Sequence, residues 1–181
     1  MISMTFAVNA TSRKEKDMGC DMHAYIETKR KNSENGWEVL PLLAIRYSQK
    51  FPEILDFYSG RDYELFGWLT GGVVRCDTDS ILDTPRGIPD DIDYEIEKEY
   101  NSWNGDAHSA SYFTLEELKE AYSEIPKKVY EFDAWGESTT KKVKNEFRKR
   151  VKYFLNTIEA LAETIGWFDD DEVRIVFWFD S

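Results

Sequence analysis

The amino-acid sequence predicts one α+β domain, a small, mainly antiparallel sheet packed against several helices. Three observations carry this reading. Cys20–Lys29 alternates, with Cys20, Met22, Ala24 and Ile26 on one side and Asp21, His23, Tyr25 and Glu27 on the other, the period of a strand. Val173–Phe179 alternates in the same way near the end of the chain. Between them apolar residues recur at steps of three or four, the mark of helices whose stripes need another layer to cover them.

Met1–Asp17 reads as a polar extension ending in a charged run, with Met18 as an alternative start, so the domain is placed at residues 18–181. Asn35-Gly36 is a turn pair, and Trp37–Ile45 supplies the strand that returns along Cys20–Lys29 to make a β-hairpin. Gln49–Gly60 suggests a short helix after Pro52. Asp62–Thr70 has the apolar stripe Leu65, Phe66, Trp68 and Leu69, stopped by Gly71-Gly72. Val73–Cys76 suggests a short strand, followed by a polar loop to Asp91 in which Pro85 and Pro89 restrict the backbone around Arg86.

Asp91–Trp103 looks helical, with Ile92, Ile96, Tyr100 and Trp103 at helical spacing. The segment Asn104–Tyr112 is expected to be a loop, leading into the capping box Thr114–Glu117 and a helix through about Tyr122. Ser138–Ile165 is expected to be one long amphipathic helix with Val143, Phe147, Val151, Phe154, Ile158, Leu161 and Ile165 along one side and Gly166 at its end. Val173–Phe179 is then the terminal strand, joining the hairpin.

Composition bounds the function classes. With 181 residues, 41% hydrophobic and 15% aromatic, the chain has enough apolar mass for a core. A net charge of −12 repels nucleic acid over most of the surface and favours basic partners or bound cations. One segment departs from this: Lys141–Lys152 holds seven Lys or Arg against a single acid, Glu146, and is a candidate nucleic-acid contact. The acidic stretches Asp90–Glu99 and Asp169–Glu172 are candidates for mimicking a phosphate backbone, and solvation is the plainer reading of both. Two cysteines make no disulfide framework, Met1–Asp17 lacks the apolar run of a secretory signal, and no stretch reaches the ~18 consecutive apolar residues of a membrane span. The expectation is a cytoplasmic protein.

The chemistry-bearing pattern is a repeated Asp-x-His. The chain has two histidines, and each follows an aspartate by two residues: Asp21-Met-His23 and Asp106-Ala-His108. In extended backbone such a pair points to one face. If the pairs converge, two oxygens and two nitrogens form a candidate divalent-metal site, for zinc or manganese, or an acid/base pair. The competing reading has each Asp bonded to its own loop backbone and each His simply packed. Arg86 and Arg61 are candidate anion ligands, and Ser109 and Ser111, flanking His108, are candidate donors to a ligand. Cys20 alternates toward the core and reads as a buried thiol. P-loop, nucleophile-elbow and zinc-finger spacings are absent from the sequence.

Several segments occur in a telling order: Met18-Gly-Cys-Asp-Met-His23, Arg61-Asp-Tyr-Glu-Leu-Phe66, Pro85-Arg-Gly-Ile-Pro89 and Trp103-Asn-Gly-Asp-Ala-His-Ser109. Thr114-Leu-Glu-Glu-Leu118 and the ending Val173-Arg-Ile-Val-Phe-Trp-Phe-Asp180 follow. Together they resemble a family of small proteins carried by tailed phages and prophages, whose members typically open Met-Gly-Cys-Asp-Ile-His. The likeness spans about Met18–Leu118 and the last strand, with Met22 in place of the usual Ile and 17 residues ahead of Met18. It brings no established activity, and implies a phage-encoded protein of the host cytoplasm. The expected function is therefore an accessory protein that antagonises a host defence, either an anti-CRISPR-like inhibitor of a nuclease complex or a binder of a nucleotide signal. It would use the Asp/His cluster and an acidic surface. The alternatives are a metal-dependent hydrolase of phosphate esters and a structural interaction protein without a ligand site, which leaves enzymatic activity open.

Overall fold

A computed structural model describes residues 19–29, 36–41, 43–44, 53–54, 56–74, 78, 80–82, 85–132 and 138–180, with backbone alone at 43–44, 53–54, 128–132 and 138–144. The expected Met1–Asp17 extension and Cys76 lie outside the described residues, as do the side chains of Lys141, Lys142 and Lys144.

The sheet comes first from β1 (Met22–Lys29) and β2 (Trp37–Val39), antiparallel in the register Glu27↔Val39 and Lys29↔Trp37. Gly36 precedes β2 at φ +80°, in the left-handed region that glycine enters without steric cost. The segment expected to be helical around Pro52 contains instead a two-residue strand, β4 (Glu53–Ile54), paired with β3 (Leu43–Ala44). The chain then runs extended beside β1. Its Phe57 amide donates to the Ala24 carbonyl at 3.0 Å, and the Leu40 amide to the Ile26 carbonyl at 2.7 Å. Those bonds occupy a strand edge that a helix would have left open.

Helices α1 (Tyr63–Leu69) and α2 (Tyr94–Ser102) stand where the apolar spacing placed them, each started by an aspartate, Asp62 or Asp93, whose carboxylate caps the first turn. Val73 and Val74 are not in a strand, Val74 lying in a bend, and the rest of that expected strand, Arg75 and Cys76, lies outside the described residues. The loop expected over Asn104–Tyr112 is largely a strand, β5 (His108–Thr114), followed directly by α3 (Leu115–Glu124), whose capping box forms as predicted.

The expected long helix is divided. Ser138–Lys144 is strand β7, paired with β6 (Lys128–Phe132), and α4 (Glu146–Glu163) begins only at Asn145, whose side-chain oxygen accepts from the Arg148 amide at 2.9 Å. Thr139, Thr140 and Val143 are β-branched and favour extended backbone, and Asn145 is a strong N-cap.

Strand β8 (Val173–Phe179) lies in the middle of the sheet, order β2-β1-β8-β5, antiparallel to β1 and β5. All seven of its residues are buried, as a strand covered on both faces requires. On one face Met22, Ala24, Ile26, Phe113, Ile175, Phe177 and Phe179 join residues of α1, α3 and α4 in the main core. On the other, Tyr25, Val176 and Trp178 pack with Ile96 and Tyr100 of α2. The row His23, Tyr25, Glu27 is thus roofed by α2 rather than facing solvent. Among the described residues no helix is long and apolar enough to cross a membrane.

A buried charge pair fixes that roof. The Arg174 guanidinium donates to Glu27 at 2.5 Å and to the Asp91 carboxylate at 2.7 Å, and lies 4.1 Å from the Trp37 ring centroid. The second Glu27 oxygen accepts from the Asp93 amide at 2.6 Å, and Asp93 in turn accepts from the Val39 amide at 3.2 Å. Two charges on neighbouring central strands thereby lash the turn before α2, and β2 beyond it, to the sheet.

Candidate functional site

The two Asp-x-His pairs do not meet. His23 pairs across the ladder with Trp178, and His108 with Phe179, and those two neighbours on β8 point to opposite faces. The ring contacts agree: His23 lies 5.9 Å from Trp178 on the α2 face, and His108 lies 6.1 Å from Phe179 on the main-core face. The central strand stands between the imidazoles. Asp21 turns to Arg61, its two oxygens accepting from Nε at 2.5 Å and Nη2 at 2.6 Å, and Asp106 is exposed in the turn before β5. The shared set Asp21, His23, Asp106 and His108 is therefore not assembled. Among the described residues, no group of three or more His, Cys, Asp or Glu side chains is placed to hold a metal ion.

His23 instead has partners that the sequence reading missed. Its Nδ1 lies 3.4 Å from Asp56 and its Nε2 3.5 Å from Asp180, with the side chain only 16% exposed. The Trp103 ring packs at 4.2 Å between centroids. Asp180 is held in turn, accepting from the Asp21 amide at 2.9 Å and donating its own amide to the Asp21 carbonyl at 3.2 Å. Burial alone would lower the His23 pKa, but the two carboxylates outweigh it and hold the imidazole above its usual value. With both nitrogens turned to carboxylates, His23 is a staple joining β1, the 56–57 segment and the end of β8. It is not a base presented to a substrate.

The remaining candidates are mostly spent on structure. Arg86 donates to Glu117 at 2.8 Å and to the Tyr112 carbonyl at 3.3 Å, and stacks 4.4 Å over Phe113. Ser111 is fully buried, its hydroxyl accepting from the Arg86 amide at 3.2 Å. Together they pin the proline-bounded loop to β5, so the Arg86 side chain has a structural use there. Ser109, at φ +52° beside the bulge in β5, contacts His108 Nδ1 at 3.1 Å. The basic run is partly consumed too. Arg148 donates to the Tyr122 and Ile125 carbonyls at the end of α3, and Arg150 engages Asp62 and Glu64 at the start of α1. Cys20 is buried in the main core, as expected. Arg61 is the candidate that keeps an exposed position, on the rim of a cleft.

No family model, curated protein or solved structure matches the chain.

One surface feature has the character of a recognition site. After α4 the chain turns through Gly166, packs a half-buried Phe168 against the main core, and leaves Trp167 94% exposed. Only one of the two adjacent aromatics can turn inward, so the other is presented to solvent. Glu163, Asp169 and Asp171 around it are exposed. Lys119 of α3 grips Glu159 at 2.9 Å and Asp170 at 2.8 Å, which anchors both sides of the turn. The signal was present as Gly-Trp-Phe followed by four acids, but periodicity does not say which ring stays outside.

Proposed function

We propose that the chain is an accessory protein of a tailed phage or prophage that acts by binding, docking its Trp167 surface onto a basic, nucleic-acid-binding face of a host defence nuclease complex. The phage origin rests on the ordered sequence motifs, and the host cytoplasm follows from it. The observation that carries the binding reading is Trp167, a large ring held almost wholly in solvent inside an acidic rim. Exposed tryptophan is rare outside interfaces, and hot spots are enriched in it. An indole face also receives an arginine of the partner, while the acids steer a basic surface toward it. The net charge of −12 adds long-range attraction of the same sign.

The test is competition on purified nuclease complexes with their guide and target nucleic acid, adding this protein in increasing amounts. Inhibition of target binding is expected near stoichiometry, with Trp167→Ala weakening it at least about tenfold, the effect of a modest hot spot. Asp169→Asn with Asp171→Asn should chiefly slow association and flatten the salt dependence. Full inhibition by Trp167→Ala, or no inhibition of any complex tried, contradicts the reading.

A further inference from the structure

We propose that a second site, the cleft between residues 57–62 and the first half of α4, binds a nucleotide, its base against Tyr153 and its phosphate on Arg61 and Lys149. The cleft has a volume of about 610 Å³, within the range of small-molecule sites. It lies apart from the Trp167 surface and shares no lining residue with it.

Its walls combine two chemistries. Phe57, Tyr58, Tyr153 and Phe154 supply rings, and Arg61, Lys149 and Arg150 supply cations. Phe154 is buried as the floor, 5.6 Å from Phe57 and 5.8 Å from Tyr58 between centroids, so the three rings brace one another. Tyr153 stands one residue away and is 76% exposed, an aromatic face at the lip. Two glycines shape the wall. A Cβ at Gly19 would fall 2.6 Å from Arg61 Nη1, and one at Gly60 would fall 2.9 Å from the Tyr58 hydroxyl. Any larger residue at either place displaces a cleft side chain.

The cations have partners and also donors to spare. Arg61 commits Nε and Nη2 to Asp21, Arg150 commits Nε and Nη2 to Asp62 and Glu64, and Lys149 gives one bond to Glu146. That leaves both Nη1 groups and two ammonium hydrogens without a hydrogen-bond acceptor among the described residues. Asp62, the acid deepest in the wall, is already occupied by the Leu65 amide and Arg150. The carboxylates of Asp21, Asp62, Glu64 and Glu146 offset the charge of Arg61, Lys149 and Arg150, so an anion here would be held by the remaining directed donors rather than by an excess of positive charge. An inorganic anion would leave the rings unused, and a neutral aromatic would leave the donors unused. A nucleotide uses both, since every base has a face to stack and its phosphate accepts several charge-assisted bonds.

The experiment is calorimetric titration of the full chain with the four ribonucleoside monophosphates, with adenosine and inorganic phosphate as separate arms. Saturable binding of at least one nucleotide is expected, at least tenfold tighter than adenosine or phosphate, and weakening as salt is raised. Tyr153→Ala and Arg61→Gln, both exposed positions, should each weaken it at least tenfold, whereas Trp167→Ala should not. The proposal is overturned if no nucleotide saturates, if phosphate or adenosine alone binds as well, or if binding survives both cleft substitutions.

Discussion

The imidazole of His23 has a carboxylate facing each of its nitrogens, Asp56 on one side and Asp180 on the other, and together they raise its pKa against the opposing effect of burial. A pKa raised in the folded state means that folding is favoured by protonation. The stabilisation is complete below the unfolded value of about 6.5 and fades as the pH rises through the higher folded value. His23→Gln should therefore flatten thermal stability as the pH rises above about 6.5, where the parent loses stability. Scanning calorimetry across that window checks it; a parent whose stability climbs there contradicts the staple. The sequence reading grouped His23 with Asp21, Asp106 and His108, whereas the carboxylates that face it are Asp56 and Asp180. Asp56 and Asp180 are 33 and 157 residues away along the chain, and only the pairing of β1 with β8 brings them in. The structural partners of Arg86 are hidden from the sequence for a related reason. Its proline-bounded loop was visible, whereas the Glu117 and Phe113 that absorb its guanidinium follow from the β5–α3 corner.

At the scale of elements, Glu27 and Arg174 tie the two central strands to the turn that launches α2. Removing one partner strands the other: Glu27→Leu or Arg174→Met alone should cost about 3–5 kcal/mol, and the double replacement should recover most of it. Urea denaturation of the four proteins in the cycle measures this, and additive losses would show that the charges do not act as a pair. Asn145→Ala should cost about 1 kcal/mol by uncapping α4, again by urea melt. That cap also explains the main error of element prediction. The three-and-four spacing runs unbroken from Val143 into Phe147, so periodicity alone carries the helix backward through Ser138. The β-branched Thr139 and Thr140 and the capping Asn145 were the local signals against it. Where period and cap agreed, as at Thr114–Glu117 and Asp62, the helix was placed to within two residues.

The whole molecule is a sheet covered on both faces, and that arrangement decides how its polar residues can act. The α+β class, the hairpin and the terminal strand were legible because alternation is a local property of the chain. The distance between the two histidines was not, since it depends on which strand lies between β1 and β5. With β8 there, residues that look equivalent in sequence face different cores, and the two surfaces proposed for recognition, the acidic turn at Trp167 and the cleft beside α4, lie outside that sheet. The proposal is then that the protein acts by binding and not through a shared Asp/His centre. It is tested most directly by phage plating on hosts that carry a nuclease defence, with the parent, the His23→Gln/His108→Gln double variant or Trp167→Ala supplied in the cell. The account predicts that the parent and the double-histidine variant restore plating to within a few-fold of each other and that Trp167→Ala loses it by at least about tenfold. Loss of plating with the double-histidine variant, folded and present at the parent's level, alongside full activity of Trp167→Ala, would contradict it.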